Sequence, residues 1–367
     1  MCLLITFCVV VSIQLYFYIY LFWPYVFSVY KGGKGVTVPI SVLVCAKNEE
    51  ANLRQLLPSL LEQHYPDFEL VLIDDASTDD SLKIMKTFAA KNAKSKVQIQ
   101  VIAIEGDESK GKKFALTQGV LASKNEYLLF TDADCIPASK DWIQLISNGF
   151  SEGISLVLGY GAYSKIKGSF LNKLIRFETM ITAIQYFSYA QSGKAYMGVG
   201  RNIAYTKDLF VKAGGFASHK HIRSGDDDLF VSQVSTALNT EICDEPLSFT
   251  YSRPEISFAN WLHQKRRHLT TSGHYKKYHK FFLGLFYVSQ IAFYMLTLAA
   301  LVLHEQTNAI LGLFLLRFIF WYFIMIRSAN KLNEKDLIVF GPLYEISLIF
   351  MQLYIFLKNI ISSPKNW

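Results

Sequence analysis

The run from residue 2 to residue 23, CLLITFCVVVSIQLYFYIYLFW, contains no charged side chain, and the first cation of the chain is Lys31. At about 1.5 Å of rise per helical residue, such a run reaches across the ~30 Å hydrocarbon core of a bilayer. It lacks the basic n-region and the small-residue cleavage site of a secretory signal. The expectation is therefore an uncleaved membrane anchor over 1–30 rather than a leader peptide or a buried core helix. The far end repeats the pattern. Residues 281–303 are uncharged, 309–326 are apolar except for Arg317, and 337–357 are apolar except for Glu345. These make a C-terminal membrane region, 281–367, with two or three spans. Pro342 and Glu345 suit an interfacial or re-entrant helix as well as a span.

Lys and Arg set the expected orientation. Lys31 and Lys34 follow the first segment, Lys276, Lys277 and Lys280 precede the second, and Arg327, Lys331 and Lys335 follow the third. All three groups fall on one side if the hydrophilic region 31–280 is cytoplasmic. The formal charge of +7 is thus largely juxtamembrane, which points to anionic lipid headgroups and not to nucleic acid. The expected location is the bacterial inner membrane. The five cysteines show no CxxC spacing and two lie in the anchor, which argues against a disulfide framework or a zinc site.

Between residues 38 and 160 short apolar runs alternate with helical spacing. PISVLVCA (39–46), FELVLID (68–74), VQIQVIAIE (97–105) and EYLLFTD (126–132) read as strands, and 49–63, 81–92 and 111–123 as helices between them. Continuous apolar strands separated by helices imply a mostly parallel α/β sheet covered on both faces. KGGKG (31–35) reads as a flexible link. From 165 to 280 the pattern shifts to longer helices, 168–190 and 260–280. Both, near 168–190 and 255–280, lie in the membrane interface or pack on the sheet, and the second runs into the next hydrophobic segment.

Open α/β sheets bind ligands beyond the carboxyl ends of their strands, and here each such end is polar. The first strand finishes in Cys45-Ala46-Lys47-Asn48-Glu49, the second in Asp74-Asp75-Ala76-Ser77-Thr78, the fourth in Asp132-Ala133-Asp134, and the third helix opens with KGKK (110–113). Ser77 with Asp80 also has the spacing of a capping box. A lone DxD is weak, and the chain has a second acidic cluster at Asp226-Asp227-Asp228. Strand periodicity puts residues i and i+2 on one side, and two carboxylates held together repel unless a cation neutralises them. Mg2+ or Mn2+ suits carboxylates and substrate phosphates. Lys112, beside a glycine at a helix start, offers charge and backbone donors to a phosphate.

In this order and spacing the motifs resemble the family-2 glycosyltransferases of GT-A fold, especially their membrane-anchored, cellulose-synthase-like branch, over roughly 38–280. The resemblance implies that Ala46, Asn48 and Glu49 border the nucleotide, Asp75 meets the base, Lys112 lies near the diphosphate, and Asp132 faces the ribose while Asp134, with Asp132, holds the metal. SGDDDL (224–229) is similar to the family's EDxDL element, which makes Asp226 the catalytic base, with Asp227 a second candidate because Gly225 stands where the family has Glu. QKRRH (264–268) is similar to QxxRW, with Gln264 and Arg267 on the diphosphate and His268 in place of the tryptophan that helps form the acceptor site. GVGRNIAY (198–205) resembles a glycine-rich segment between donor and acceptor pockets, making Asn202 a further candidate.

The implied function is inverting, metal-dependent transfer of a sugar from a nucleotide-diphosphate donor, with UDP the expected nucleotide, to a lipid-linked or saccharide acceptor. A catalytically inactive sugar-nucleotide-binding scaffold is the alternative, supported by Gly225 and His268. Processive synthesis through a channel is disfavoured by so few membrane segments. The sugar, the acceptor and the oligomeric state stay open.

Overall fold

The computed structural model describes residues 1–29, 37–105, 111–222 and 224–362; the 31–35 link and Lys110 lie outside them. Four strands, β1 (Ile40–Ala46), β2 (Phe68–Asp74), β3 (Gln98–Ala103) and β4 (Tyr127–Asp132), run parallel. β5 (Cys135–Pro137), β6 (Leu156–Gly159), β7 (Gly161–Tyr163), β8 (Ile203–Thr206), β9 (Thr240–Cys243) and β10 (Thr250–Ser252) follow. The main sheet has the order β3-β2-β1-β4-β8-β6-β9, with β8 antiparallel to both neighbours. A second, three-stranded sheet has the order β5-β10-β7.

The apolar run of β1 splits between two cores. Val42 and Val44 pack with Leu53, Leu56 and Leu60 of the Glu50–Leu61 helix. Leu43 faces the opposite core with Val71, Ile73 and Val120. A strand buried on both faces needs apolar side chains at odd and even positions alike, so the expected helix-covered, mostly parallel sheet is what forms.

The helix Phe170–Gln191 is almost wholly buried. Of the two placements open to it, it packs against β7 and β9 on one side and against the first and last apolar helices on the other. The expected 260–280 helix is instead two. Phe258–Ser272 ends at Gly273, and a new helix, Lys277–Leu303, starts beyond a turn. That turn is held by Tyr275, whose hydroxyl donates to Asp228 Oδ2 at 2.8 Å.

Among the described residues, four helices are long and apolar enough to cross a membrane: Cys2–Phe27, Lys277–Leu303, Thr307–Lys331 and Gly341–Ile361. Pro342 sits in the first turn of the last helix, where its missing N–H costs nothing. Glu345 is buried and receives Arg317 through both terminal nitrogens, at 3.0 and 2.6 Å. Arg317 Nε also donates to Gln14 of the first helix at 2.9 Å, and Gln290 of the second donates to Glu345 at 3.0 Å. One polar cluster therefore joins all four helices. Outside the bundle, buried ion pairs fasten the sheet region to it. Arg176 meets Glu334 and Asp336, and Lys331 meets Asp244 at 2.7 Å.

Candidate active site

The loops after β1 and β2 are laced together. Asn48 takes a left-handed backbone, φ +58°, which Asn tolerates better than most residues. Its Oδ1 accepts from Thr78 N at 2.8 Å while its own N donates to Ser77 Oγ at 3.0 Å. Glu49 N donates to Ser81 Oγ at 2.8 Å, and Asp75 N to Ala46 O at 2.8 Å. The capping box expected of Ser77 and Asp80 does not form, because Ser77 is spent on Asn48 and the helix begins at Ser81. The lacing sets Ala46, Asn48, Glu49 and Asp75 around one end of the sheet, with Asp75 buried.

The third helix, Gly111–Ala122, starts from Gly111 at φ +67°. It sends its two lysines to different tasks. Lys112 Nζ lies 2.8 Å from Asp132 Oδ1 and 3.1 Å from Asp226 Oδ2, so one ammonium bridges the first and second acidic motifs. Burial works against its charge, but Asp132 and Asp226 outweigh it and raise its pKa well above the ordinary lysine value. Lys113 turns away and donates to His219 O and Ile222 O at 2.9 and 3.0 Å, holding the segment before the acidic triplet. Lys112, Asp132, Asp226 and Asp227 share a small cleft with Cys45, Gly200 and Tyr205.

Asp132 is the last residue of β4, but Asp134 is on the turn that follows. Strand alternation therefore does not align the pair as the sequence suggested; the reversal of the chain does. Burial raises the Asp132 carboxyl and Lys112 overrides it, so that it ends below the usual value. Burial and the neighbouring Asp132 push Asp134 up, and it accepts a hydrogen bond from the Cys135 thiol at 3.4 Å. A crowded carboxylate of this kind fits a hard divalent ion, whose charge relieves the repulsion. Among the described residues no group of three or more His, Cys, Asp or Glu could hold a metal. Asp134 and Asp132 would thus supply two ligands, leaving the remainder to phosphate oxygens and water, the common pattern for Mg2+.

The acidic triplet divides its work. Gly225 has φ +93°, and a Cβ there would stand 2.6 Å from Leu229 Cδ1, so the glutamate that the motif resemblance implies at this position has no room. Asp227 accepts from Gly200 N at 2.8 Å and from Asp228 N at 2.7 Å. Burial, then Asp226 and Asp228, lift its carboxyl far above the usual range. Asp228 accepts from Thr271 and Tyr275 and so ties the triplet to the Phe258–Ser272 helix. Asp226 alone turns its carboxylate to Lys112 in the cleft.

On the Phe258–Ser272 helix, Lys265 pairs with Glu178 at 2.5 Å and Arg266 Nε donates to Asn359 of the last helix at 2.8 Å. Gln264 and Arg267 are partly buried, and Gln264 Oε1 is buried without a hydrogen-bond partner. His268 is open at its surface, yet the surrounding protein and Lys265, Arg267 and Arg201 hold its pKa down. Asn202 is a correction. It is fully buried, accepts from Trp142 Nε1 at 3.0 Å, and donates to Tyr160 O and Ser248 O at 3.0 and 2.8 Å. Every polar atom of its side chain is used inside the protein, so it has none to offer a ligand. Its neighbour Arg201 instead directs its guanidinium to Ser252 Oγ at 3.2 Å and over the ring of Tyr163.

Residues 41–213 match the family profile described as Glycosyl transferase family 2. The chain carries a family-2 glycosyl transferase domain. The matched segment of this domain holds Ala46 through Asn202 of the candidate residues and stops before Asp226 and the Gln264–His268 element. The 4,4'-diaponeurosporenoate glycosyltransferase of Staphylococcus aureus (strain USA300) is 23% identical over 190 residues, 51% of this chain and 49% of the relative. The chain thus spans about half the length of the curated relatives it matches. The mannosyltransferase PcManGT from Pyrobaculum calidifontis, solved in complex with GDP-Man and Mn2+, covers 94% of this chain and 98% of its own at a TM-score of 0.60 and 14% identity. That likeness extends through the long apolar helices and establishes the GT-A fold.

Proposed function

We propose that this family-2 domain is an inverting, divalent-metal-dependent glycosyltransferase. It would move a sugar from a nucleotide-diphosphate donor, UDP being the first choice, to a lipid-linked or saccharide acceptor at the cytoplasmic membrane face. One observation carries the reading: Lys112 joins Asp132 and Asp226 in a single cleft, so the donor motif and the candidate base address the same space. The domain match supports transfer of a sugar, and the relative named for glycosylating diaponeurosporenoate supports a glycosyltransferase.

In this mechanism Asp132 faces the ribose and Asp75 the base. Asp134 with Asp132 would hold the divalent ion, which when bound would offset charge on the diphosphate. Gln264 and Arg267 reach the same phosphates, where a guanidinium fork suits the anion. Asp226 removes the proton of the acceptor hydroxyl. The acceptor oxygen bonds to the anomeric carbon from the side opposite the diphosphate, whose oxygen leaves with the bonding electron pair. Asp227 serves less well as the base because backbone N–H groups already occupy both its oxygens. Lys112 has a double duty. Without donor it neutralises Asp226; a bound diphosphate competes for its ammonium and frees the base, which favours donor binding before acceptor.

The test is transfer by the full chain in membranes, with a panel of nucleotide sugars and mass spectrometry of the extracted lipids. A new glycolipid with wild type and none with Asp226→Asn is expected. Wild type and Asp226→Asn equally inactive, both still binding UDP, would defeat the catalytic reading in favour of a binding scaffold.

A further inference from the structure

The three-stranded sheet β5-β10-β7 contributes none of the motif residues, yet two of its strands, β7 and β10, contact Arg201 and the third, β5, is joined to it through Ser252. Arg201 Nη1 donates to Ala162 O of β7 at 3.5 Å and to Ser252 Oγ of β10 at 3.2 Å. The guanidinium lies over the ring of Tyr163, also on β7, 4.4 Å from its centroid. A Cβ on Gly161 would stand 3.0 Å from Arg201 Nε, so glycine at that position leaves room for the arginine. Ser252 Oγ also shares a hydrogen bond with Cys135 Sγ of β5 at 3.0 Å, and the same thiol reaches Asp134 Oδ1 at 3.4 Å. The cradle is therefore linked, contact by contact, to the metal-ligand candidate.

What the cradle holds is unusual. Arg201 is only partly exposed, and among the described residues it makes no ion pair. A guanidinium has five N–H donors in a fixed fork, and the hydrogen bonds within the protein engage Nη1. Asp132 and Asp134 lie within electrostatic reach without closing on it. A cation withdrawn from water without a counter-ion is costly unless a ligand supplies one. Cysteine, serine, tyrosine and glycine on three short strands here maintain such a cation beside two carboxylates.

We propose that Arg201 is a diphosphate-binding residue of the donor site, opposite Lys112, and that it makes divalent-ion binding and diphosphate binding interdependent. The inference rests on the donor-site reading given above. With no diphosphate present, a divalent ion on Asp132 and Asp134 meets the repulsion of Arg201. With a diphosphate between them, both positive groups have an anion to contact, and the fork takes phosphate oxygens with the bidentate geometry it favours. Cys135 and Ser252 act through Arg201 and Asp134 as positioning residues.

The discriminating experiment uses the full chain in detergent and measures two affinities. One is Mn2+ alone, read by loss of the free-ion electron paramagnetic resonance signal. The other is UDP and GDP with Mn2+ present, read calorimetrically against uridine and guanosine. For Arg201→Gln the two are expected to move in opposite directions: nucleoside diphosphate binding about tenfold weaker, from the loss of a charged fork, and Mn2+ alone about threefold tighter, from the loss of a nearby positive charge. A role limited to propping up the small sheet would weaken both, and that result overturns the inference, as does unchanged diphosphate binding. Arg201→Lys keeps the charge and carries the test should Arg201→Gln not fold. Its Mn2+ affinity stays at the wild-type value while diphosphate binding falls severalfold; diphosphate affinity equal to wild type refutes the fork. If wild type itself binds the diphosphates no better than the nucleosides, the donor-site reading fails and this inference with it.

Discussion

Asn202→Ala separates a structural asparagine from a ligand-binding one. The side chain makes three hydrogen bonds at full burial, with Trp142 Nε1, Tyr160 O and Ser248 O. Tyr160 O keeps a second donor in Thr250 N at 3.3 Å, so the loss falls mainly on the indole N–H and the Ser248 carbonyl. A buried polar group left unsatisfied costs about 1–3 kcal/mol. Two of them, with the small cavity left by the missing amide, amount to roughly 4 kcal/mol. In a domain of this size each kcal/mol lowers Tm by about 2–4 °C, so a drop of roughly 8–16 °C is expected. Thermal unfolding of the detergent-solubilised protein, followed by tryptophan fluorescence, measures it. Steady-state kinetics on the fraction that stays folded should return an acceptor KM like that of wild type. A variant with unaltered Tm and a tenfold higher acceptor KM would refute the argument and restore Asn202 to the site.

Gly225→Glu introduces the residue that the motif resemblance implies but meets both the positive φ and Leu229. It should destabilise by about 1–3 kcal/mol and lower transfer activity; a gain in activity would show that the loop relaxes to accept it. Glu345→Gln leaves Arg317 as a buried charge without its counter-ion, at a cost of about 3–5 kcal/mol. The double change Arg317→Met with Glu345→Leu should recover most of that loss, as read from the unfolding temperature of the three proteins. The pH profile tests Asp227, whose carboxyl is lifted to about 7 by burial and its acidic neighbours. Because its folded value exceeds the unfolded one, the folded state holds the extra proton, and stability falls as pH rises from about 4 to about 7. Asp227→Asn should flatten that slope in a Tm-against-pH series; an unchanged slope would assign the titration elsewhere.

Much of this protein was legible in one dimension because the signals are local. Four strands and three intervening helices follow from apolar period and length, and β2 has the same limits in the sequence reading and in the structure, Phe68–Asp74. The break at Gly273 was not legible, since what ends that helix is a hydrogen bond from Tyr275 to Asp228, 47 residues away in the chain. Asp134 was placed on a strand because alternation is the only rule a sequence offers there, whereas pairing of β5 with β10 turns the chain just beyond Asp132. Ser77 had the spacing of a cap, but Asn48 competed for its hydroxyl from another loop.

The long apolar helices, the sheet and the acidic motifs are properties of residue type and spacing, which burial converts directly into structure. The division of labour within each motif is not. Lys112 and Lys113 are adjacent, and Asp226 and Asp228 lie two apart, yet in each pair one side chain faces the cleft and the other is consumed inside the fold. Neighbours in sequence share composition but not direction, and direction is set by packing against elements far along the chain. Two acidic segments, at 132–134 and 226–228, thus became one site only when Lys112 could reach both.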